Sequence, residues 1–171
     1  MIHVVLFEPE IPQNTGNIMR TCAATNAVLH LIEPMGFSLD EKHLRRSGMD
    51  YREICEFHQY KDWDDFAQKH PGTKYFVTRY GKKPPSSFDF SVHLNEPVYL
   101  VFGKESTGIP KDILRTSLDT CMRLPMVEHA RSLNLSNTVA ICVYEVLRQL
   151  DYPGLSSLEV IKGADWLEID H

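Results

Sequence analysis

The chain lacks the features that mark several large protein classes. Its four cysteines (Cys22, Cys55, Cys121 and Cys142) are scattered, and no two form a C-x-x-C pair. That argues against a zinc site or a disulfide framework and for a reduced, cytoplasmic protein. No apolar run reaches the roughly 18 to 20 residues that span a bilayer, so no membrane partner is expected. The opening MIHVVLFEPEIPQ has neither the basic start nor the small-residue cleavage site of a signal peptide. Positive charge is in deficit: 18 Lys and Arg stand against 23 Asp and Glu, for a net charge of −5. This excludes indiscriminate binding to nucleic acid, and no DNA partner is expected, but a local basic patch is compatible with it. The familiar nucleotide and hydrolase motifs are missing too. VFGKESTGIP (residues 101–110) has the glycines of a phosphate loop, but Gly108 is followed by Ile109 and Pro110, where a Walker A loop needs lysine. There is no G-x-G-x-x-G, no H-E-x-x-H and no defensible Ser/His/Asp order. His3, His30, His58, His70 and His93 are scattered and read as structural. No metal is expected.

What is present is an ordinary globular chain. With 171 residues, 43% hydrophobic and 24% charged, it suits one domain with a sizeable core. Residues 2–7 (IHVVLF) read as a buried strand. The prolines of EPEIP (8–12) interrupt regular structure. Asn14 or Thr15 then caps a helix whose apolar side carries Ile18, Cys22 and Thr25, with Met19 and Ala23 beside it and Arg20 in its first turns. Residues 28–32 (VLHLI) are a second strand, and this β-loop-α-β opening implies a parallel sheet. After a turn at 33–37 come a short helix over 40–48, a strand over 53–58, a helix over 62–70 and a strand over 74–78. A connection covers 79–95, followed by a strand over 97–102, a helical turn over 111–116 and a strand over 120–124. Strands alternating with helices predict an α/β domain of three layers, α/β/α, with a mostly parallel sheet. Residues beyond 150 have little regularity.

Three polar stretches stand out, each with a bland reading and a functional one. Asn14, Asn17 and Arg20 serve as a helix cap and a solvated arginine, or as amides and a guanidinium that hold a polyanion. Two glycines and Glu105 after the fifth strand form an ordinary strand-to-helix turn, or a place where a ligand approaches the backbone. The loop over 124–137 carries Glu128, His129, Arg131, Ser132, Asn134, Ser136 and Asn137 and leads into an apolar helix. Leu135, Val139, Cys142, Val143, Val146 and Leu150 recur three or four apart as its core face, while Ala140, Ile141 and Leu147 widen the apolar surface. That helix is buried on several sides or forms a subunit interface. Lys42, His43, Arg45 and Arg46 form the densest positive cluster, a solvated helix face or a contact for a phosphodiester backbone.

Taken together, PQNTGNIMRTCAATN (12–26), VFGKESTGIP (101–110) and LPMVEHARSLNLSNTVAICVYE (124–145) resemble, in order and spacing, the three motifs of the SPOUT superfamily of RNA methyltransferases. EPEIPQNTGNI, LIEPMGF and KHLRRSGMDY are similar to one subgroup, the bacterial tRNA (cytidine/uridine-34) 2′-O-methyltransferases. The resemblance covers residues 1–154 as the methyltransferase domain and leaves 155–171 as a tail of unknown role. It implies a C-terminal deep trefoil knot, an obligate homodimer, S-adenosylmethionine as methyl donor and tRNA, leucine tRNAs among them, as substrate. Donor-binding positions would be Val77, Thr78, Phe102, Gly103, Glu105, Met122, Leu124, Met126, Ser132, Leu133 and Asn134. Arg20 is the residue assigned to catalysis, acting across the dimer, with Asn14, Glu105 and Asn134 around it. Lys42, Arg45, Arg46 and Arg131 are candidates for RNA contact. A 2′-O-methyltransferase acting on another RNA site and a catalytically silent, knotted RNA-binding protein are the alternatives.

Overall fold

A computed structural model describes residues 1–39 and 55–169. The helix expected over 40–48, with Lys42, Arg45 and Arg46, lies outside the described residues. One six-stranded sheet runs through the molecule in the order β3-β2-β1-β5-β4-β6, and every pairing in it is parallel. The strands are β1 (Ile2–Phe7), β2 (Val28–Ile32), β3 (Phe57–Tyr60), β4 (Lys74–Val77), β5 (Val98–Phe102) and β6 (Cys121–Met122). Helices α1 (Pro12–Thr25), α2 (Trp63–Lys69), α3 (Lys111–Arg115) and α4 (Leu135–Gln149) lie against its faces.

The strand sequences explain why both faces are covered. Along β1, β2 and β5 nearly every residue is apolar, so each face needs a partner layer. Ile2, Val4, Leu6, Leu29, Leu31, Val98, Leu100 and Phe102 share one core with Ile18, Met19 and Cys22 of α1 and Val139, Cys142, Val143 and Val146 of α4. The alternate residues Val5, Phe7, Ile32, Tyr99 and Val101 join Phe66 of α2 and Leu114 of α3 in a second core. Helices α1 and α4 also pack on each other. The three-layer α/β/α arrangement with a parallel sheet is therefore present.

Several local expectations are corrected. Helix α1 begins at Pro12, because proline at the first helical position gives up only an N–H that has no intrahelical partner. Asn14 and Thr15 are thus buried inside the first turn and are not caps, and Arg20 lies in the third turn. The strand expected over 53–58 is found at Phe57–Tyr60, and the strand expected over 120–124 is only Cys121–Met122. Thr120 closes a 3₁₀ turn, and the chain after Arg123 leaves the sheet. Helix α4 is capped by Asn134, whose side chain accepts from the N–H groups of Ser136 and Asn137 at 2.9 and 3.3 Å.

Four of the histidines are not scattered in space. His3 Nδ1 and His30 Nε2 share a hydrogen bond of 2.8 Å, and His30 Nδ1 meets the Tyr60 hydroxyl at 2.9 Å. Tyr60 meets His70 Nε2 at 2.7 Å, and His70 Nδ1 meets the Tyr99 hydroxyl at 3.2 Å. The His58 ring lies 5.7 Å from that of His30. Burial, reinforced by the N-terminal ammonium, pushes the His3 imidazole down to about 4, and burial with the neighbouring His3 pushes His30 down to about 3. Burial, then His58, also lowers His70.

These rings are neutral in the folded chain and take up protons once unfolded, near the ordinary histidine value of 6.5. The unfolded state therefore binds more protons below that value, and stability falls as pH falls from about 6.5 towards 4. The first part of this loss precedes carboxylate titration. We expect the denaturant midpoint to drop between pH 7 and pH 5, and the drop to shrink in His3→Gln. A midpoint that is flat over that interval would remove the cluster from the account of stability.

Candidate active site

A cleft of about 670 Å³ opens at the carboxyl ends of β4, β5 and β6, where three loops meet. Parallel sheets place ligand sites at such strand ends, beside the point where the chain order reverses. Here that point lies between β1 and β5. The first wall is Val77, Thr78, Arg79 and Tyr80, the second is the loop over 102–109, and the third runs through Arg123, Leu124, Met126 and Ser132 to Leu135. Ile11 and Asn14 of the α1 start complete it.

The second loop is shaped by its glycines. Gly108 takes a left-handed φ of +72°, and its N–H bonds the Lys104 carbonyl at 2.9 Å. This folds the loop back so tightly that a Cβ on Gly103 would lie 2.4 Å from the carbonyl carbon of Gly108. Any side chain at Gly103 would force the loop apart.

One carboxylate ties the second loop to the start of α1 and, through Asn14, to the third loop. Glu105 Oε2 accepts the backbone N–H of Glu10 at 2.9 Å, and Oε1 accepts the N–H of Ile11 and the Nδ2 of Asn14, both at 3.1 Å. Asn14 Oδ1 accepts in turn from Asn134 Nδ2 at 3.0 Å, while Asn134 Oδ1 caps α4. The tie is reciprocal. The Glu10 carboxylate accepts from the Ser106 hydroxyl at 2.8 Å and from its N–H at 2.9 Å, which holds the Glu10 carboxyl below the usual range. Lys104 pairs with Glu8 at 2.7 Å, and that bond raises the lysine. The three polar stretches of the sequence thus form one hydrogen-bonded unit.

The cleft gathers Val77, Thr78, Phe102, Gly103, Glu105, Leu124, Met126, Ser132, Leu133 and Asn134, together with Asn14. Met122 is not part of its lining. Its side chain is fully buried in the core below, and its carbonyl accepts the Thr78 N–H at 2.9 Å. Arg20 lies on the exposed side of α1, outside the cleft lining, and Arg131 is exposed on the third loop and likewise outside it. Arg79, Tyr80 and Arg123, which belong to none of the three polar stretches, also line the cleft. The RYGKK run carried a signal for two of them, an aromatic residue amid cations.

Replacing Glu105 with Ala strips the acceptor from two backbone N–H groups and the Asn14 amide. Hydrogen bonds to a charged group each contribute about 1.5–3 kcal/mol. We expect Glu105→Ala to lose about 2 kcal/mol in urea unfolding, with Glu105→Gln between it and the unaltered chain. Unchanged stability in Glu105→Ala would show that the tie does not brace the loops.

Comparison with known proteins supplies the family. Residues 1–144 match the model of the SpoU rRNA Methylase family. The tRNA (cytidine(34)-2'-O)-methyltransferase of Saccharophagus degradans is 47% identical over 156 residues, 90% of this chain and 99% of its own length. A solved structure concerned with 2-OH methylation of C/U34 on tRNA superposes with a TM-score of 0.79 and 37% identity, over 88% of this chain and 97% of that one. The SpoU methyltransferase AviRb of Streptomyces viridochromogenes, solved in complex with AdoMet, gives a TM-score of 0.70 at 25% identity over 87% of this chain and 57% of that one. With residues 1–144 matched to the family model and a relative 47% identical over 90% of its length, the chain is a member of the SpoU rRNA methylase family.

Proposed function

We propose that this chain transfers a methyl group from S-adenosylmethionine to the ribose 2′-hydroxyl of the nucleotide at position 34 of tRNA. The observation that carries the reading is the cleft at the strand ends, walled by three loops, of which the second and third are tied to the start of α1 by Glu105, Asn14 and Asn134. The named activity of the relative in Saccharophagus degradans supports the choice of substrate.

The cleft suits the donor. Its volume of about 670 Å³ falls in the range of small-molecule sites. Val77, Phe102, Leu124, Met126 and Leu133 offer apolar walls for a purine and a methylene chain, and loop backbone around Thr78 and Gly103 offers polar partners. When bound, S-adenosylmethionine supplies a methyl group on a sulfonium, an activated leaving group that requires no metal. The protein's own work is to place the hydroxyl oxygen in line and to ease loss of its proton. Arg20 fits this role as a positioning cation. A guanidinium stays protonated, so it acts by charge, holding the hydroxyl or the adjacent phosphate and favouring the alkoxide.

Arg20 stands outside the cleft lining of its own chain. The reading therefore includes a homodimer in which Arg20 of one chain reaches the donor held by the other. Half-exposed Ile141 and Tyr144 on α4 suit such a contact. It also includes a knot, formed by threading of the segment that runs from β6 into α4. Residues 1–154 would be the catalytic domain, with 155–171 outside it. The setting would be the cytoplasm. Among the described residues, no helix is long and apolar enough to cross a membrane.

The test is calorimetry with S-adenosylmethionine, then methyl transfer to tRNA from a strain lacking the modification, with the methylated nucleotide mapped. Arg20→Ala should lower the transfer rate by on the order of 10²-fold or more and leave donor affinity nearly intact. Equal loss of both would remove Arg20 from the reaction. Methylation mapped elsewhere would redirect the substrate, and donor binding without transfer to any RNA would leave a silent RNA-binding protein.

A further inference from the structure

The first wall of the cleft continues outward into a cationic rim that the donor does not explain. The segment Arg79-Tyr80-Gly81-Lys82-Lys83 leaves β4 and runs beside β6. Three backbone bonds pin it. Thr78 N–H donates to the Met122 carbonyl at 2.9 Å, Gly81 N–H to the Thr78 carbonyl at 3.2 Å, and Arg123 N–H to the Lys83 carbonyl at 2.9 Å. Gly81 presses against the strand so closely that a Cβ there would lie 2.4 Å from the Met122 carbonyl carbon. The guanidinium of Arg123 reaches back to the Arg79 carbonyl at 3.4 Å. Residues 40 positions apart in sequence are thereby fixed as one edge.

That edge is charged, aromatic and open. Arg79, Lys82 and Lys83 are exposed and Arg123 is half-buried. Tyr80 is 75% exposed, with the Arg79 guanidinium carbon 5.9 Å from its ring centroid. Residues 77–88 and 120–127 contain no Asp or Glu, in a chain whose net charge is −5. Among the described residues none of the four cations forms a salt bridge. Arg79, Tyr80 and Arg123 line the cleft itself, so the rim adjoins it directly.

S-adenosylmethionine carries a net positive charge, so four clustered cations are not its counter-charges. A polyanion is. A tyrosine standing exposed among cations suits unstacked bases, whose faces a duplex keeps covered. We propose that Arg79, Lys82, Lys83 and Arg123 hold the phosphates of a single-stranded RNA loop while Tyr80 stacks on one of its bases. Resting on the tRNA reading above, this assigns recognition of the anticodon loop to the rim. The tight backbone pinning means that the rim meets the loop preformed.

The test measures binding of an anticodon stem-loop without donor, across a salt series, beside a blunt duplex of the same stem. The unaltered chain should prefer the stem-loop. K82A/K83A should weaken binding and flatten the salt slope by about 1.4, the value for two contacts to a single strand. K82R/K83R should restore both, and donor affinity, measured by calorimetry, should stay unchanged in either pair. Tyr80→Ala should cost about tenfold in affinity with the slope unchanged, and Tyr80→Phe should bind normally. An unchanged salt slope in K82A/K83A, a Tyr80→Ala that binds normally, or a duplex that binds as well as the stem-loop would overturn the assignment. Because binding is read without donor or turnover, absence of methyl transfer would count against the proposed reaction and not against the rim.

Discussion

The cleft depends on a single carboxylate. Glu105 comes from the loop after β5, yet it accepts hydrogen bonds from the backbone and the amide at the start of α1. Asn14 passes the connection to Asn134, which caps α4. Two helices and a loop, separated by about 90 and 120 positions in sequence, are thus held by one run of side chains. The reciprocal bond from Ser106 to Glu10 closes the same junction from the other side. Such networks are worth having only when complete, because a half-satisfied polar group in a partly buried setting is costly. Here the acceptors on Glu105 and Asn134 are used several times over, which fixes the second and third loops relative to the start of α1.

This junction clarifies why the polar stretches are so rich in amides and carboxylates. Asn14 bonds Glu105 with its amide nitrogen and Asn134 with its amide oxygen, so this bonding by itself accounts for an amide at 14. Any contact they make to a bound molecule would be an additional use of a frame already assembled. Arg20, by contrast, stands outside the cleft lining of its own chain, and its part in the proposed reaction calls for a second copy.

Much of the fold was legible in the sequence because the strands are short apolar runs flanked by breakers, and helix α4 shows its period plainly. The cleft residues were legible through resemblance to known motifs, and ten of the eleven expected donor positions line it. What failed was governed by neighbours distant in sequence. Pro12 looked like a breaker because only its position relative to α1 makes it a starter. The strand at 120–124 was cut to two residues because a 3₁₀ turn precedes it and the third loop pulls the chain away. The four histidines come from β1, β2, β3 and the end of α2, so no local spacing could reveal their contact. Arg123 lies outside the RYGKK run and is brought to it by long-range pairing, through its N–H bond to the Lys83 carbonyl and the bridge between Lys83 and Met122.

The two-residue length of β6 has a consequence for what that edge of the sheet can recruit. A sheet edge offers unpaired N–H and C=O groups on which another chain can build. At this edge the ladder is too short to template a strand, and the bridge from Lys83 to Met122 occupies part of it with a lysine-bearing segment. Sheet-to-sheet growth is blocked there by the chain's own backbone. Open-ended stacking of strands from that side is thereby shut out.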